Sequence, residues 1–353
     1  MVFQRNVSVL NFDSGFKRAY YQPDDGKANR SGCRSGYKFS LRIGYTEAMT
    51  DLKYFPNQPQ TVGQLLQFCS EALESSDVFF GHGTDNAWDE AVLMVLSVVE
   101  LPLDSGENVL PQPVGSEAVA RLQELLHRRI AEHEPLPYLL GRAWFAGLEF
   151  FCDRRAIIPR SPIAELILND FRPWYHGPAP KRILDLCCGG GCIGLAAAYQ
   201  FPDARVDLLD VDSDALELAR ENAEHLGLQD RVAVIQSDLF ESLVDTRYDL
   251  VLSNPPYVDA ADLAAMPAEF HHEPKDALGS GSDGLDVTRR ILSCVHPFLA
   301  ASGLLIVEVG NSWPALEEAY PKVPFTWVEF ERGGDGVFAL TAQELQDYST
   351  IVG

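Results

Sequence analysis

The chain of 353 residues contains no run approaching the roughly 18 consecutive apolar residues that a membrane-spanning helix needs, which excludes a helical membrane protein. Its opening residues lack the basic, apolar and small-residue series of a secretory signal. The seven cysteines (Cys33, Cys69, Cys152, Cys187, Cys188, Cys192 and Cys294) are odd in number and form no C-x-x-C pair. Neither a disulfide framework nor a structural metal site is therefore indicated, and the cysteines read as reduced thiols. Positive charge is scarce: 28 Lys and Arg stand against 51 Asp and Glu, a net charge of -23. Such a field repels phosphate backbones and speaks against direct readout of nucleic acid. Internal repeats and low-complexity tracts are also missing. What remains, 46% hydrophobic and 10% aromatic residues, is the composition of a globular protein long enough for two domains, with no membrane partner and a cytoplasmic setting as the expectation.

The charge is unevenly placed. Residues 1–48 hold eight Lys and Arg and four acids, rich in Gly, Ser and Tyr and without helical periodicity. This leader is expected to be a disordered arm, or upstream sequence joined to a chain whose initiator is Met49; the second reading is the one adopted. A mitochondrial transit peptide is disfavoured by Asp13, Asp24 and Asp25, because such peptides are poor in acids. From 49 to 136, apolar residues recur at helical spacing (Val62, Leu65, Leu66 and Cys69; Ala91, Val92, Val95 and Val98; Leu122, Leu125, Leu126 and Ile130), which predicts a small helical domain for substrate recognition. Asn86 and Ser116 stand where N-caps are expected. Residues 137–160 carry two aromatic and apolar runs around Ala146-Gly147, a hairpin linker. A helix from Pro162 through Phe171 then opens the last domain, 161–353. There, short β-rich runs at 182–187, 205–210, 232–236, 248–253 and 303–309 alternate with amphipathic helices, predicting an α/β doubly wound parallel sheet. A final edge hairpin is expected from 325 to 341.

Two constellations carry chemistry. The first is Asp185-Leu186-Cys187-Cys188-Gly189-Gly190-Gly191, after the first strand and before a helix. Glycines there let the backbone approach a ligand and expose amides at a helix N-terminus, although a tight turn without ligand looks the same. The second strand strengthens the reading, because it ends in Asp210, nineteen residues after Gly191, where an acid can accept from ribose hydroxyls. Asp212 and Asp214 compete for that role, one of them as a helix N-cap. Nicotinamide dinucleotides and S-adenosylmethionine both use such a turn. The acid four residues before the first glycine suits S-adenosylmethionine, whose α-amino group Asp185 and turn carbonyls can hold. Asp238 and Phe240, at the end of the third strand, are expected to meet the adenine.

The second constellation is Ser253-Asn254-Pro255-Pro256-Tyr257, after the fourth strand. Two prolines stiffen the backbone so that the Asn254 side chain and the Pro255 carbonyl can face one guest. Two fixed acceptors suit a planar nitrogen with two N–H bonds, and the Tyr257 ring can pack on its face. A carboxamide or aryl amine is a poor nucleophile, and such acceptors orient it toward a sulfonium methyl and favour the charge that grows during transfer. Asn254, Pro255, Pro256 and Tyr257 are thus the candidate catalytic residues, Asn254 also touching the cofactor. No cluster suggests a metal: His271-His272 lack the partners that would complete a site and read as loop contacts.

The tetrapeptide defines the geometry of the acceptor and leaves open adenine, guanine and glutamine amines. From about residue 61 onward the chain resembles the bacterial protein-glutamine N5-methyltransferases of the HemK type, and residues 150–165 (F-F-C-D-R-R-A-I-I-P-R-S-P-I-A-E) look like its ribosomal branch. The release-factor branch has Pro-Glu-Thr where Ser161-Pro162-Ile163 stand here. His272-Glu273-Pro274, residues 281–285, residues 308–312 and residues 325–338 (F-T-W-V-E-F-E-R-G-G-D-G-V-F) resemble the same branch. The resemblance implies a Rossmann-like class I fold with a seven-stranded, mostly parallel sheet and an antiparallel edge hairpin. It also implies S-adenosylmethionine as donor and a glutamine of large-subunit ribosomal protein three as acceptor. Its cofactor residues fall on Cys187, Cys188, Gly189, Gly190, Gly191 and Asp210, and its substrate clamp on residues 254–257. The chain departs from the usual turn, which has Thr and Ser where Cys188 and Gly190 stand. The alternatives are a release-factor methyltransferase, an RNA or DNA amino-methyltransferase, and a non-catalytic ribosome-assembly factor.

Overall fold

The computed structural model describes residues 60–331 and 333–352. The leader and the Met49 start lie outside these residues. The chain divides into two compact units, with the break between Leu140 and Gly141.

In the first unit, β1 (Gln60–Thr61) leads into α1 (Val62–Glu74) through a capping box: Thr61 Oγ1 accepts the Gln64 N–H, and Gln64 Oε1 accepts the Thr61 N–H. Helix α2 (Ala87–Val98) starts at Asn86, whose Oδ1 accepts the Asp89 N–H at 3.0 Å. Strand β2 (Pro113–Val114) pairs with β1, and α3 (Ser116–Ala131) and α4 (Leu136–Leu140) complete the unit. Gly115, not Ser116, is the N-cap of α3; Ser116 is its first helical residue and makes no cap hydrogen bond. Leu65, Leu66, Met94, Leu96, Leu122 and Leu125 form the buried centre. Within it Arg129 Nε meets Glu90 Oε1 at 2.6 Å and Arg129 Nη2 meets the Phe79 carbonyl at 2.7 Å, so the buried charges are paired.

The second unit opens with the hairpin of β3 (Arg142–Phe145) and β4 (Leu148–Phe151). Its two-residue turn has φ of +49° at Ala146 and +78° at Gly147, the left-handed pair that matches strand twist. Helix α5 (Ile163–Leu168) stops three residues short of the expected Phe171, because Asp170 and Phe171 take φ of +54° and +58° and break the helical path ahead of Pro173. There follow β5 (Arg182–Leu186), α6 (Cys192–Gln200), β6 (Arg205–Asp210), α7 (Ser213–His225), β7 (Val232–Gln236) and β8 (Tyr248–Ser253). After these come α8 (Ala260–Ala265), α9 (Asp286–Cys294), β9 (Leu299–Glu308), α10 (Trp313–Ala319), β10 (Thr326–Trp327), β11 (Val337–Thr341), α11 (Ala342–Asp347) and α12 (Ser349–Val352). The seven-stranded sheet runs β10-β11-β9-β8-β5-β6-β7, parallel from β9 to β7 and antiparallel at β10 and β11.

Alternation along each strand builds two cores. Ile183, Val206, Leu208, Leu250, Leu252 and Ile306 pack on one face with Leu195 and Ala197 of α6. Leu184, Leu186, Leu209, Val251, Leu305 and Val307 pack on the other with Ile291, Leu292 and Leu316. Strands buried on both faces read as continuous apolar runs, which is why these were visible in the sequence. The order reverses between β5 and β8, so the crevice of this unit opens beyond their carboxyl ends. Among the described residues no helix is long and apolar enough to cross a membrane.

Candidate active site

The glycine-rich turn leaves β5 through Cys187, an L-residue held at φ +55°, with Gly189 at +53° and Gly191 at +81°. Its shape is fixed from several sides. The Cys188 N–H donates to the Leu209 carbonyl at 3.0 Å and the Gly191 N–H to the Cys188 carbonyl at 2.8 Å. Asp210 Oδ2 accepts the Gly189 N–H at 2.8 Å, and its Oδ1 accepts the Asp212 N–H at 3.0 Å. Asp210 therefore braces the glycine turn through Oδ2 and the segment after its own strand through Oδ1, and a carboxylate with about four acceptor sites keeps capacity for a ligand hydroxyl. Burial raises its pKa, against the pull of these N–H groups. Of its competitors, Asp212 is the N-cap of α7, accepting the Asp214 N–H.

Asp185 is 1% exposed. Its Oδ2 accepts the Gly194 N–H at 2.7 Å, while its Oδ1 has no partner. Burial pushes its carboxyl up to about 8, the Gly194 N–H opposing and the Asp210 charge assisting. A buried carboxylate oxygen without a donor is costly, and a ligand ammonium would satisfy it. Burial and the neighbouring carboxylates also push up the thiols of Cys187 and Cys188, so these stay protonated packing groups. At Gly190 a Cβ would stand 3.3 Å from Leu218 Cδ2, a tight but yielding contact, so the turn has little spare room at this position.

Asn222 is a residue that sequence reasoning missed. It lies in the middle of α7, fully buried, and its Nδ2 donates to the carbonyls of Gly190 at 3.0 Å and Phe151 at 3.2 Å. Its Oδ1 accepts the Phe151 N–H at 2.7 Å. One side chain thus ties the hairpin to the glycine turn. The sole signal in the sequence was a polar residue on the buried face of an amphipathic helix.

The third strand's candidates lie near the turn, since the Asp238 charge is among those that raise the Cys187 thiol. Phe240, expected to meet the adenine, is 6% exposed and stacks on Phe298 at 4.8 Å between centroids. Asp238 Oδ1 pairs with Arg290 at 2.9 Å. His272 meets Arg154 at 3.1 Å.

Strand β8 ends beside β5, with Ser253 opposite Leu186 and Ser253 Oγ donating to the Leu186 carbonyl at 2.9 Å. Asn254 consequently emerges next to Cys187, half-buried, with Pro255 buried behind it. Its carboxamide has no hydrogen-bond partner among the described residues. Tyr257 turns into the protein: its hydroxyl donates to Glu308 Oε1 at 2.9 Å, and its carbonyl accepts from Ser312 Oγ at 2.7 Å. Glu308 ends β9 and is 5% exposed; burial raises its pKa, and hydrogen bonds from Ser161 and Tyr257 pull the other way. Nearby, Glu273 Oε2 accepts the Ile158 N–H at 3.0 Å and Arg160 Nη1 at 2.8 Å, and the Arg160 guanidinium lies 5.3 Å from the Phe270 ring. A Cβ on Gly334 would come within 2.9 Å of Pro162, and one on Gly284 within 2.1 Å of the Tyr257 carbonyl oxygen. The segments that carry the family resemblance therefore meet around Tyr257.

The chain is similar to several known proteins. The methyltransferase small domain family matches residues 164–301. The ribosomal protein uL3 glutamine methyltransferase of Francisella tularensis subsp. tularensis (strain SCHU S4 / Schu 4) is 45% identical over 293 residues, 83% of this chain and 93% of that protein. The protein of the same name from Neisseria gonorrhoeae (strain ATCC 700825 / FA 1090) is 46% identical over 287 residues, 81% of this chain and 95% of that one. Among solved structures, a methyltransferase from Pyrococcus furiosus is similar at TM-score 0.41 and 17% identity, over 65% of this chain and 99% of that chain. Matched along nearly the whole length of both curated relatives, this chain belongs to the family of ribosomal protein uL3 glutamine methyltransferases.

Proposed function

We propose that the protein transfers a methyl group from S-adenosylmethionine to the side-chain amide nitrogen of a glutamine in ribosomal protein uL3. The observation that carries this reading is the pairing of Leu186 with Ser253, which sets a donor-holding turn and an Asn-Pro-Pro-Tyr segment at adjacent strand ends. The cofactor fits the residues present: the buried Asp185 Oδ1 lacks a donor that an α-ammonium would supply, and Asp210 has acceptor capacity left for a ribose hydroxyl. When bound, the cofactor supplies an electrophilic sulfonium methyl group. The chain's own residues bind and orient. Asn254 and the Pro255 carbonyl accept the two N–H bonds of the glutamine amide, which directs the nitrogen lone pair out of that plane and favours the positive charge that builds on nitrogen. The Tyr257 ring packs against the amide face. No general base is needed to start the transfer, because the amide proton leaves after its acidity has risen. The helical unit of residues 60–140 carries no chemistry of its own, and we assign it to substrate recognition in the cytoplasm.

The test uses donor with a labelled methyl group and ribosomal proteins lacking the modification, with the label located by peptide mass spectrometry. Label on a glutamine of uL3 is expected, and Asn254→Ala should reduce it at least about 100-fold with an unchanged melting temperature. Label on a release factor or on RNA alone would overturn the substrate assignment. Full turnover by the Asn254 variant would overturn the clamp.

A further inference from the structure

Tyr257 is fastened at four points. Its N–H donates to the Leu278 carbonyl at 3.1 Å, and its own carbonyl is held by Ser312. Its ring lies against Gly310, where a Cβ would come within 2.5 Å of Cε2. Its hydroxyl is held by Glu308 Oε1 at 2.9 Å. The other oxygen, Glu308 Oε2, accepts from Ser161 Oγ at 2.5 Å. Both oxygens of one buried carboxylate are thus taken by hydroxyls from segments 51 and 147 residues away in sequence. Burying a carboxylate is costly unless hydrogen bonds compensate, and an aromatic ring can be packed against a glycine without any carboxylate. The arrangement does something that packing alone does not: it sets the rotation of the ring about its own axis system and the direction of its hydroxyl.

We propose that Glu308 is a positioning residue for the acceptor clamp, acting through the Tyr257 hydroxyl, with Ser161 holding the carboxylate in the orientation that this requires. The inference rests on the reading of residues 254–257 as the clamp. Among the described residues neither Glu308 nor Tyr257 hydrogen-bonds to the glycine turn, so loss of this network acts on the methyl-transfer step and not on cofactor binding. Ser161 lies in the 158–163 segment, which is remote in sequence from the clamp, and Glu308 joins the two by hydrogen bonds to Ser161 and Tyr257.

The experiment compares the full-length wild type with Glu308→Gln, Glu308→Ala, Ser161→Ala, Tyr257→Phe and the Tyr257→Phe/Glu308→Gln double variant. It measures kcat, KM for the protein substrate, cofactor Kd and melting temperature. Glu308→Gln keeps the size and one carbonyl acceptor and is expected to lower kcat about 10-fold, and Glu308→Ala about 100-fold, with cofactor Kd and KM within about 2-fold of wild type. Ser161→Ala should lower the same constant by a smaller factor. In the Tyr257→Phe background, Glu308→Gln should change kcat by less than about 2-fold, because the hydroxyl through which it acts is gone. Glu308→Gln serves if Glu308→Ala does not fold. Equal losses with and without the Tyr257 hydroxyl, a wild-type kcat in Glu308→Gln, or a loss confined to cofactor Kd would each overturn the inference. A wild type that methylates no glutamine takes the clamp reading down first and this inference with it; additive losses in an active wild type overturn this inference alone.

Discussion

If Asp185 holds the cofactor's ammonium group as proposed, it must lose a proton that the ligand-free protein keeps. With its carboxyl pushed up to about 8, chiefly by burial, the folded chain retains this proton in the interval from about pH 4 to about pH 8, where the unfolded chain has released it. The folded state binds more protons there, so this group's contribution to the stability of the ligand-free protein falls as pH rises through the interval. Ligand binding reverses the preference and expels the proton. Affinity for S-adenosylmethionine should therefore rise by up to about tenfold per pH unit below 8, pass through a maximum near pH 8 and fall above it as the free α-amino group, at about 7.7–8.0, loses its own proton. Calorimetry in buffers of different ionisation enthalpy would show proton release near one per site below pH 7. Asp185→Asn should bind weakly and without that release; a flat affinity profile in wild type would refute the pairing. The place of Asp185 was legible in the sequence because it depends on its neighbours, an acid near the end of a strand ahead of glycines. Asn222 and Glu308 were not, since what they do is set by partners 32 to 147 residues away and nothing local distinguishes them.

Helices and strands were legible where burial imposes a period. Strands 205–210, 232–236 and 248–253 stand where the apolar runs predict; the reason is plainest for 248–253, which is buried along nearly its whole length and tolerates few polar residues. Ends were less legible: α5 stops early where two residues enter the left-handed region, and α3 is capped by a glycine that offers no side-chain acceptor. Connections between elements were the least legible, and the Asn222 bridge shows why, since it joins a hairpin, a turn and a helix through one amide. Asn222→Ala strands the Phe151 N–H and removes a donor from the Phe151 and Gly190 carbonyls. It is expected to cost about 3 kcal/mol in chemical denaturation and to loosen cofactor binding with kcat at saturation little changed. Undiminished cofactor affinity in a correctly folded variant would show that the turn holds its shape without the bridge.

The molecule as a whole carries -23 charges, a field that attracts a basic protein and is screened within about 8 Å at physiological salt. Raising ionic strength from about 50 to about 500 mM should raise KM for the ribosomal protein several-fold while kcat holds, as expected when steering and not chemistry is screened. A salt-independent KM would leave solubility as the sole effect of the charge. The bond from Ser161 to Glu308 also bears on how such enzymes can exchange parts. Residues around the donor turn come from β5 to β7 and those of the clamp from β8 onward, which suggests a single crossover in the exposed loop between them for grafting one relative's acceptor preference onto another. That graft would part Glu308 from its native Ser161 and Glu273 from Arg160 and Ile158. The unit of inheritance on the acceptor side is discontinuous, and a hybrid that carries residues 158–163 together with everything from β8 onward keeps those bonds whole.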